Sequence, residues 1–161
     1  MCESVYQALQ LKLSDSEAYS PDAESVALRS LKNVCLSLLM YQGQTSKSGF
    51  ALAQFRSADN MTDQFSALSA LVNSPALSQL TDTKDSLASF IEQWSNESLV
   101  VNQWFGVQAG SSEAGSLDSV KALSKHALYD STNPNKVRAL LGAFTMRNFE
   151  NFHREDGAGY N

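Results

Sequence analysis

Two histidines, two cysteines and one oddly placed arginine are the residues of this 161-residue sequence on which chemistry could rest. His126 and His153 stand 27 positions apart, and no His-Glu-x-x-His segment exists to present two imidazoles to a zinc ion. No cysteine pair has metal-ligand spacing, no glycine-rich loop could cradle a phosphate, and no serine stands in Gly-x-Ser-x-Gly. A site drawn from distant positions, such as Cys35 with either histidine, stays open. Arg138 is of another kind. It lies in Asn133-Pro134-Asn135-Lys136-Val137-Arg138, where Asn133 suits an N-cap and Pro134 the first helical position. The helix dipole mildly disfavours a cation in a first turn. Two readings stand: a surface arginine, or a planar fork that meets a carboxylate, either structural or belonging to a peptide.

The elements that must position these residues are helices. Residues 2–12 carry Val5, Tyr6, Leu9 and Leu13 at near-helical spacing, and Ser14 to Ser20 is a polar connection. Ser20-Pro21-Asp22 opens a helix with Ser20 as N-cap, Pro21 in the first position and an apolar stripe of Ala27, Leu31, Val34, Cys35 and Leu38, ending near Gly43. Thr45 to Ala58 is a further helix with Phe50, Leu52, Ala53 and Phe55 expected inside. Asn60-Met61-Thr62-Asp63 starts the next, with Phe65, Leu68, Leu71 and Val72 as its stripe. Ser74-Pro75 repeats the cap-and-proline pattern ahead of Leu80, Leu87, Phe90, Ile91 and Trp94, while Asp82, Asp85 and Glu92 form a solvated face. Leu99 to Ala109 is apolar nearly all round and reads as a central buried helix, in which Trp104 and Phe105 belong to the core. Gly110 to Ser116 is a loop of small residues, and Ser116 is expected to cap the helix of Val120 and Leu123, with His126 near its terminal carbonyls. The last helix begins at Asn133, with Val137, Leu140, Leu141 and Phe144 on one face. The expectation is all-α: an irregular superhelix of stacked antiparallel helix hairpins, HEAT/armadillo-like, with seven or eight helices in a single domain over residues 1–161.

Composition agrees. With 43% hydrophobic and 18% charged residues the chain is of ordinary globular type, and a chain of this length buries roughly 70% of its unfolded surface. Three prolines and eight glycines are too few for an architecture of many short strands. A net charge of −5 with no basic run argues against nucleic acid as partner. Apolar runs are far shorter than the roughly 20 residues of a membrane span, and the first residues lack the pattern of a signal peptide. Cys2 and Cys35 read as free thiols, with a disulfide between them as the alternative, and the location expected is cytoplasmic.

Five blocks in sequence order resemble the bacterial aminopeptidase N family: Arg29 to Leu36, Phe55 to Asp63, Leu99 to Ala109, Asn133 to Phe144, and Phe152 to Tyr160. The likeness runs from about residue 25 to Tyr160. It implies the all-helical C-terminal domain of a gluzincin-type zinc aminopeptidase, which removes N-terminal residues from peptides. In that family a separate catalytic domain holds the zinc, so the resemblance carries no catalytic or metal residue onto this chain. It implies a part that caps the active-site chamber and restricts access to it, with the catalytic domain of the same polypeptide and peptide substrates as partners. Arg138, Asn133 and Asn135 would line the chamber. His153, Asp156 and Tyr160 would pack between domains, or the loop around His153 would simply be closed by its own hydrogen bonds, with Gly157 and Gly159 at positive φ. The family pattern continues past Gly-x-Gly-Tyr, so a truncated domain is expected, exposing apolar surface near Phe144, Phe149 and Tyr160. The rival to all this is a free-standing α-helical repeat scaffold for protein–protein interaction.

Overall fold

The computed structural model describes residues 1–14, 19–42, 45–113 and 115–160, and among them every regular element is helical, the class that the sequence predicts. The helices fall into two compact units, Met1–Ser86 and Leu87–Asn161. Unit 1 holds α1 (Cys2–Ser14), α2 (Ala23–Tyr41), a 3₁₀ turn (Thr45–Lys47), α3 (Ser48–Ser57), α4 (Met61–Val72) and the start of α5 (Thr81–Trp94). Unit 2 holds the rest of α5, α6 (Ser98–Ala109) and α7 (Ser116–Leu123). A continuous run follows: α8 (Pro134–Val137), a π turn (Arg138–Gly142) and α9 (Ala143–Arg147). The chain then passes through α10 (Phe149–Phe152) to a 3₁₀ turn (Ala158–Tyr160). With that run taken as one, the described residues contain eight helices of eight residues or more.

Several starts differ from expectation. Asp22, not Ser20, caps α2, accepting from the Ser25 N–H at 2.9 Å, so Pro21 stays outside the helix. Hydrogen bonds to Ser20 and Ser25 hold the Asp22 carboxyl well below the usual carboxylate range. Gly115, at φ 81°, precedes α7, and Ser116 is its first residue. Ser74 turns its hydroxyl to the Met40 carbonyl at 2.9 Å and caps nothing. Asn60 does cap α4, accepting from the Asp63 N–H at 2.9 Å. Gly43, expected to end α2, lies outside the described residues.

The larger correction concerns which face of α2 is inside. Cys35 is buried, as are Arg29, Lys32, Leu36, Leu39 and Met40, whereas Leu31, Val34 and Leu38 face outward. The cause is a buried polar cluster. Lys32 Nζ donates to Asp63 Oδ2 at 2.6 Å with both side chains under 10% exposed. Asn33 donates to Asp63 Oδ1 at 2.8 Å, and Gln54 donates to both Asn33 Oδ1 and the Asp63 carbonyl at 2.8 and 3.0 Å. The Tyr6 hydroxyl donates to Gln54 Oε1 at 3.1 Å, so α1, α2, α3 and α4 meet in one network. Burial and the Asp63 charge push the Tyr6 phenol up to about 12. This also explains α3, where Ala51, Gln54 and Phe55 are inside while Ala53 is exposed and Leu52 and Phe50 are half-buried. In α4, Leu68, Leu71 and Val72 are buried as expected, and Phe65 is half-buried.

Unit 2 is built on α6. Val101, Trp104 and Phe105 are buried, while Leu99 at its start is exposed. Trp104 Nε1 donates to the Leu87 carbonyl at 3.0 Å, so even its polar edge is satisfied. Asn148, fully buried, donates its amide to the carbonyls of Ala109 and Ser111 and to Ser116 Oγ, tying the end of α6 and the start of α7 to α10.

Breaking a buried ion pair from one side strands a charge, at about 3–5 kcal/mol. Asp63→Asn is therefore expected to lower the unfolding free energy by about that amount. Lys32→Met combined with Asp63→Leu should cost much less, because no charge is left behind. Urea titration of the three proteins reads both values, and equal losses for the single and double variants would contradict the account.

Candidate functional site

The residues expected to line a chamber stand at the head of the last long run. Asn133 Oδ1 accepts from the Asn135 N–H at 3.0 Å and its own carbonyl accepts from Val137 at 3.1 Å, so Asn133 is spent on starting the helix. Asp130 supports that start by accepting from Thr132 N and Oγ1 at 2.8 and 2.7 Å, bonds that hold its carboxyl below the usual range. Asn135 and Arg138 are exposed. Arg138 opens the π turn, whose wide hydrogen bond runs from the Ala143 N–H to the Arg138 carbonyl. Among the described residues its guanidinium makes no ion pair, so its planar fork faces outward with donors to spare. On the inner side, α6 approaches closely: a Cβ on Gly106 would lie 3.4 Å from the Ala139 carbonyl oxygen.

Lys136 is the residue of this segment that sequence reasoning missed. It is buried, with Nζ 5.6 Å from the centre of the Phe105 ring. Burial pulls its amine below the usual lysine value, and the Asp130 charge pushes back. Phe105 also meets the rings of Trp104, His126 and Tyr129 at centroid distances of 5.2 to 5.9 Å. His126 was expected at the end carbonyls of α7; instead its ring leans on Trp104 and its Nδ1 accepts from the Leu128 N–H at 3.2 Å. It is a packed, acceptor histidine.

His153, Asp156 and Tyr160 occupy one loop after α10. His153 Nδ1 and the Tyr160 hydroxyl are hydrogen-bonded at 2.5 Å, and the imidazole stacks on Phe149. Arg154 donates twice to Asp156, at 3.2 and 2.7 Å, and Asp156 accepts from the Ala158 N–H at 3.0 Å. Its bond to Arg154 keeps the Asp156 carboxyl below the usual range. Gly157 takes φ 70° as expected. Gly159 does not have positive φ; it is needed because a Cβ there would strike the carbonyl oxygens of Asn151 and Phe152. Phe149 and Tyr160 are exposed as anticipated, but Phe144 is buried, its ring edge-on to Phe152.

The polar cluster of unit 1 borders a cavity of about 280 Å³ lined by Arg29, Lys32, Gln54, Asn60 and Asp63 among others. Arg29 donates to the Ser20 carbonyl at 2.6 Å and lies over the Tyr19 ring. The spacing of Arg29 and Lys32, three apart in a helix with no other charge after Glu24, is the sequence signal that could have revealed this face. Cys35 is buried and Cys2 half-buried, both free thiols, and burial pushes the Cys35 thiol up. Among the described residues no group of three His, Cys, Asp or Glu could hold a metal ion. No helix described is long and apolar enough to cross a membrane.

A family model described as a domain of unknown function (DUF3458_C) with ARM repeats matches residues 1–161. Aminopeptidase N of Escherichia coli K12 is 38% identical over 143 residues, which is 88% of this chain and 16% of that protein. Aminopeptidase N of Haemophilus influenzae is 33% identical over 152 residues, again 16% of its length. The crystal structure of Legionella pneumophila aminopeptidase A in complex with aspartic acid superposes with a TM-score of 0.79 at 31% identity, covering 98% of this chain and 19% of that one. The chain thus spans about one sixth of the curated relatives it matches.

Lys136 generates a prediction about pH. Its lowered pKa means that the folded chain binds fewer protons than the unfolded chain between that value and the ordinary lysine value of about 10.4. The penalty is fully present below the folded-state value and is relieved as pH rises through that window, so stability gains with pH there. Lys136→Met is expected to raise the denaturation midpoint at pH 7 and to flatten the gain on the approach to the ordinary lysine value. Denaturant melts of both proteins across that range decide it; a variant less stable at pH 7 would refute the account.

Proposed function

The chain belongs to the DUF3458_C family of ARM-repeat domains, and we propose that it is a helical, non-catalytic portion of a longer zinc aminopeptidase. The observation that supports this most directly is its 38% identity to aminopeptidase N along 88% of its own length but only 16% of that protein's. In this reading the chemistry belongs to the remainder of the polypeptide. Zinc would be held there, as the likeness to aminopeptidases suggests for the parent enzyme. The metal would supply Lewis-acid activation of the scissile carbonyl and of water. What this chain contributes is shape. Its helices would cap the active-site chamber and admit peptides and short unfolded segments while excluding folded proteins, in the cytoplasm.

Within that chamber Arg138 would hold a carboxylate on the substrate's C-terminal side. Its fork is exposed and makes no ion pair among the described residues, and Asn133 fixes the helix start that aims it. Asn135, exposed one turn earlier, would add an amide to the same wall. His153, Asp156 and Tyr160 would act differently. Their loop is already closed by its own hydrogen bonds, so it would present a preformed surface to the catalytic domain, with Phe149 and Tyr160 as apolar contacts.

The test is kinetic and uses the full-length enzyme. A charge-assisted hydrogen bond contributes about 1.5–3 kcal/mol, so Arg138→Ala should raise KM for peptides of several residues roughly tenfold or more. Single-residue amides, which carry no distant carboxylate, should change less than about twofold. Equal effects on both substrates would count against Arg138. A full-length reading frame without a His-Glu-x-x-His segment, or one whose product does not release N-terminal residues, would overturn the assignment as a whole.

A further inference from the structure

The outward face of α2 is built like an interface. Ala27, Leu31, Val34, Leu38 and Tyr41 are all exposed and recur at spacings of 4, 3, 4 and 3 residues. Leu31, Val34 and Leu38 are each about half exposed, and Tyr41 is 74% exposed. From Val26 to Tyr41 not one exposed residue of the helix carries a charge. The two serines beside the stripe are turned inward on the helix itself: Ser30 Oγ donates to the Val26 carbonyl at 2.8 Å and Ser37 Oγ to the Asn33 carbonyl at 3.0 Å. Both cations of this stretch, Arg29 and Lys32, are buried on the opposite side. A helix that faces water carries its charges outward. This one does the reverse.

We propose that this stripe is the docking seam for an apolar helix from the remainder of the parent polypeptide. The inference rests on one part of that reading, that this chain is a portion of a longer polypeptide. Three observations name the occupant. Spacing of 4-3-4-3 is the seam that a second helix fills with knobs-into-holes packing, and a sheet or loop would not require it. The chain matches an ARM-repeat family, and a helical repeat buries its apolar face only against a neighbouring repeat. The relatives extend to about six times the matched length, so further chain is available to supply the partner helix. From Ala27 to Tyr41 the seam spans about 21 Å, or roughly four turns of a partner helix.

Site-specific labelling of the full-length protein tests this. Leu31→Cys and Leu38→Cys are introduced singly in a Cys2→Ser/Cys35→Ala background, with Lys84→Cys on the exposed side of α5 as reference. A maleimide is added and the modified peptides are followed by mass spectrometry. Both α2 positions should react at least roughly tenfold more slowly than position 84, because only accessible thiols react, and the protection should be independent of protein concentration. Labelling as fast as the reference would overturn the inference. Protection that vanishes on dilution would also overturn it, since the seam would then be filled by a second copy of the protein. Peptidase activity measured on the same samples separates this from the function proposed above. An active aminopeptidase with rapidly labelled α2 positions sinks only the seam; a protected seam in an inactive wild-type protein sinks only the aminopeptidase reading.

Discussion

A lysine ammonium placed 2.6 Å from a carboxylate, with both side chains nearly out of reach of water, sets the arrangement of the first unit. Such a pair is tolerable only where further hydrogen bonds complete it. Asn33, Asn60 and Gln54 do so for Asp63 and its backbone. Because the four helices each contribute a member, none can rotate about its axis without stranding a charge or an amide. The rotation of α2 follows. Lys32 must face α4, and so Leu31, Val34 and Leu38 must face away from it. The polar demand at Lys32 and the apolar residues Cys35, Leu36, Leu39 and Met40 turn the helix the same way, and together they outweigh the three that face out.

The second unit obeys a different constraint, the bulk of aromatic rings around α6. Phe105 and Trp104 fill the interior and recruit His126, Tyr129 and the Lys136 ammonium. Where α6 offers Gly106 instead of a side chain, the backbone of the last long run comes close and widens into a π turn at Arg138. Lys136 and Arg138 are two residues apart and meet opposite fates. One is buried over a ring, the other is exposed. Asn148 then closes the unit by satisfying carbonyls left over at the end of α6, a role that hydrophobicity could not fill.

Function follows from what these constraints leave at the surface. Few chemically capable side chains remain uncommitted: the histidines are held by a backbone amide and a phenol, the thiols are wholly or partly covered, and Asp156 is clasped by Arg154. What faces outward is an exposed guanidinium that makes no ion pair among the described residues, a pre-closed loop with two exposed rings, and an uncharged helical seam. These are tools for contact. They suit the role proposed for this chain, a domain that borders a chamber and leans on neighbours.

The sequence by itself determined the helical class, the start of the last long run at Asn133-Pro134, the cap at Asn60 and the central place of Trp104 and Phe105. Each depends on neighbours within one or two turns, where residue type and spacing are the whole physics. It also carried the five blocks whose order matches the aminopeptidase N family. Local spacing could not decide which face of α2 turns inward, because Asp63 lies 31 positions from Lys32 and each face of the helix carries two leucines. Nor could it decide that Lys136 is covered while Arg138 is not, or that Gly159 is needed for room and not for φ. Those outcomes were fixed by tertiary structure, through the cost of leaving charges unpaired and the room that packed rings and backbones leave.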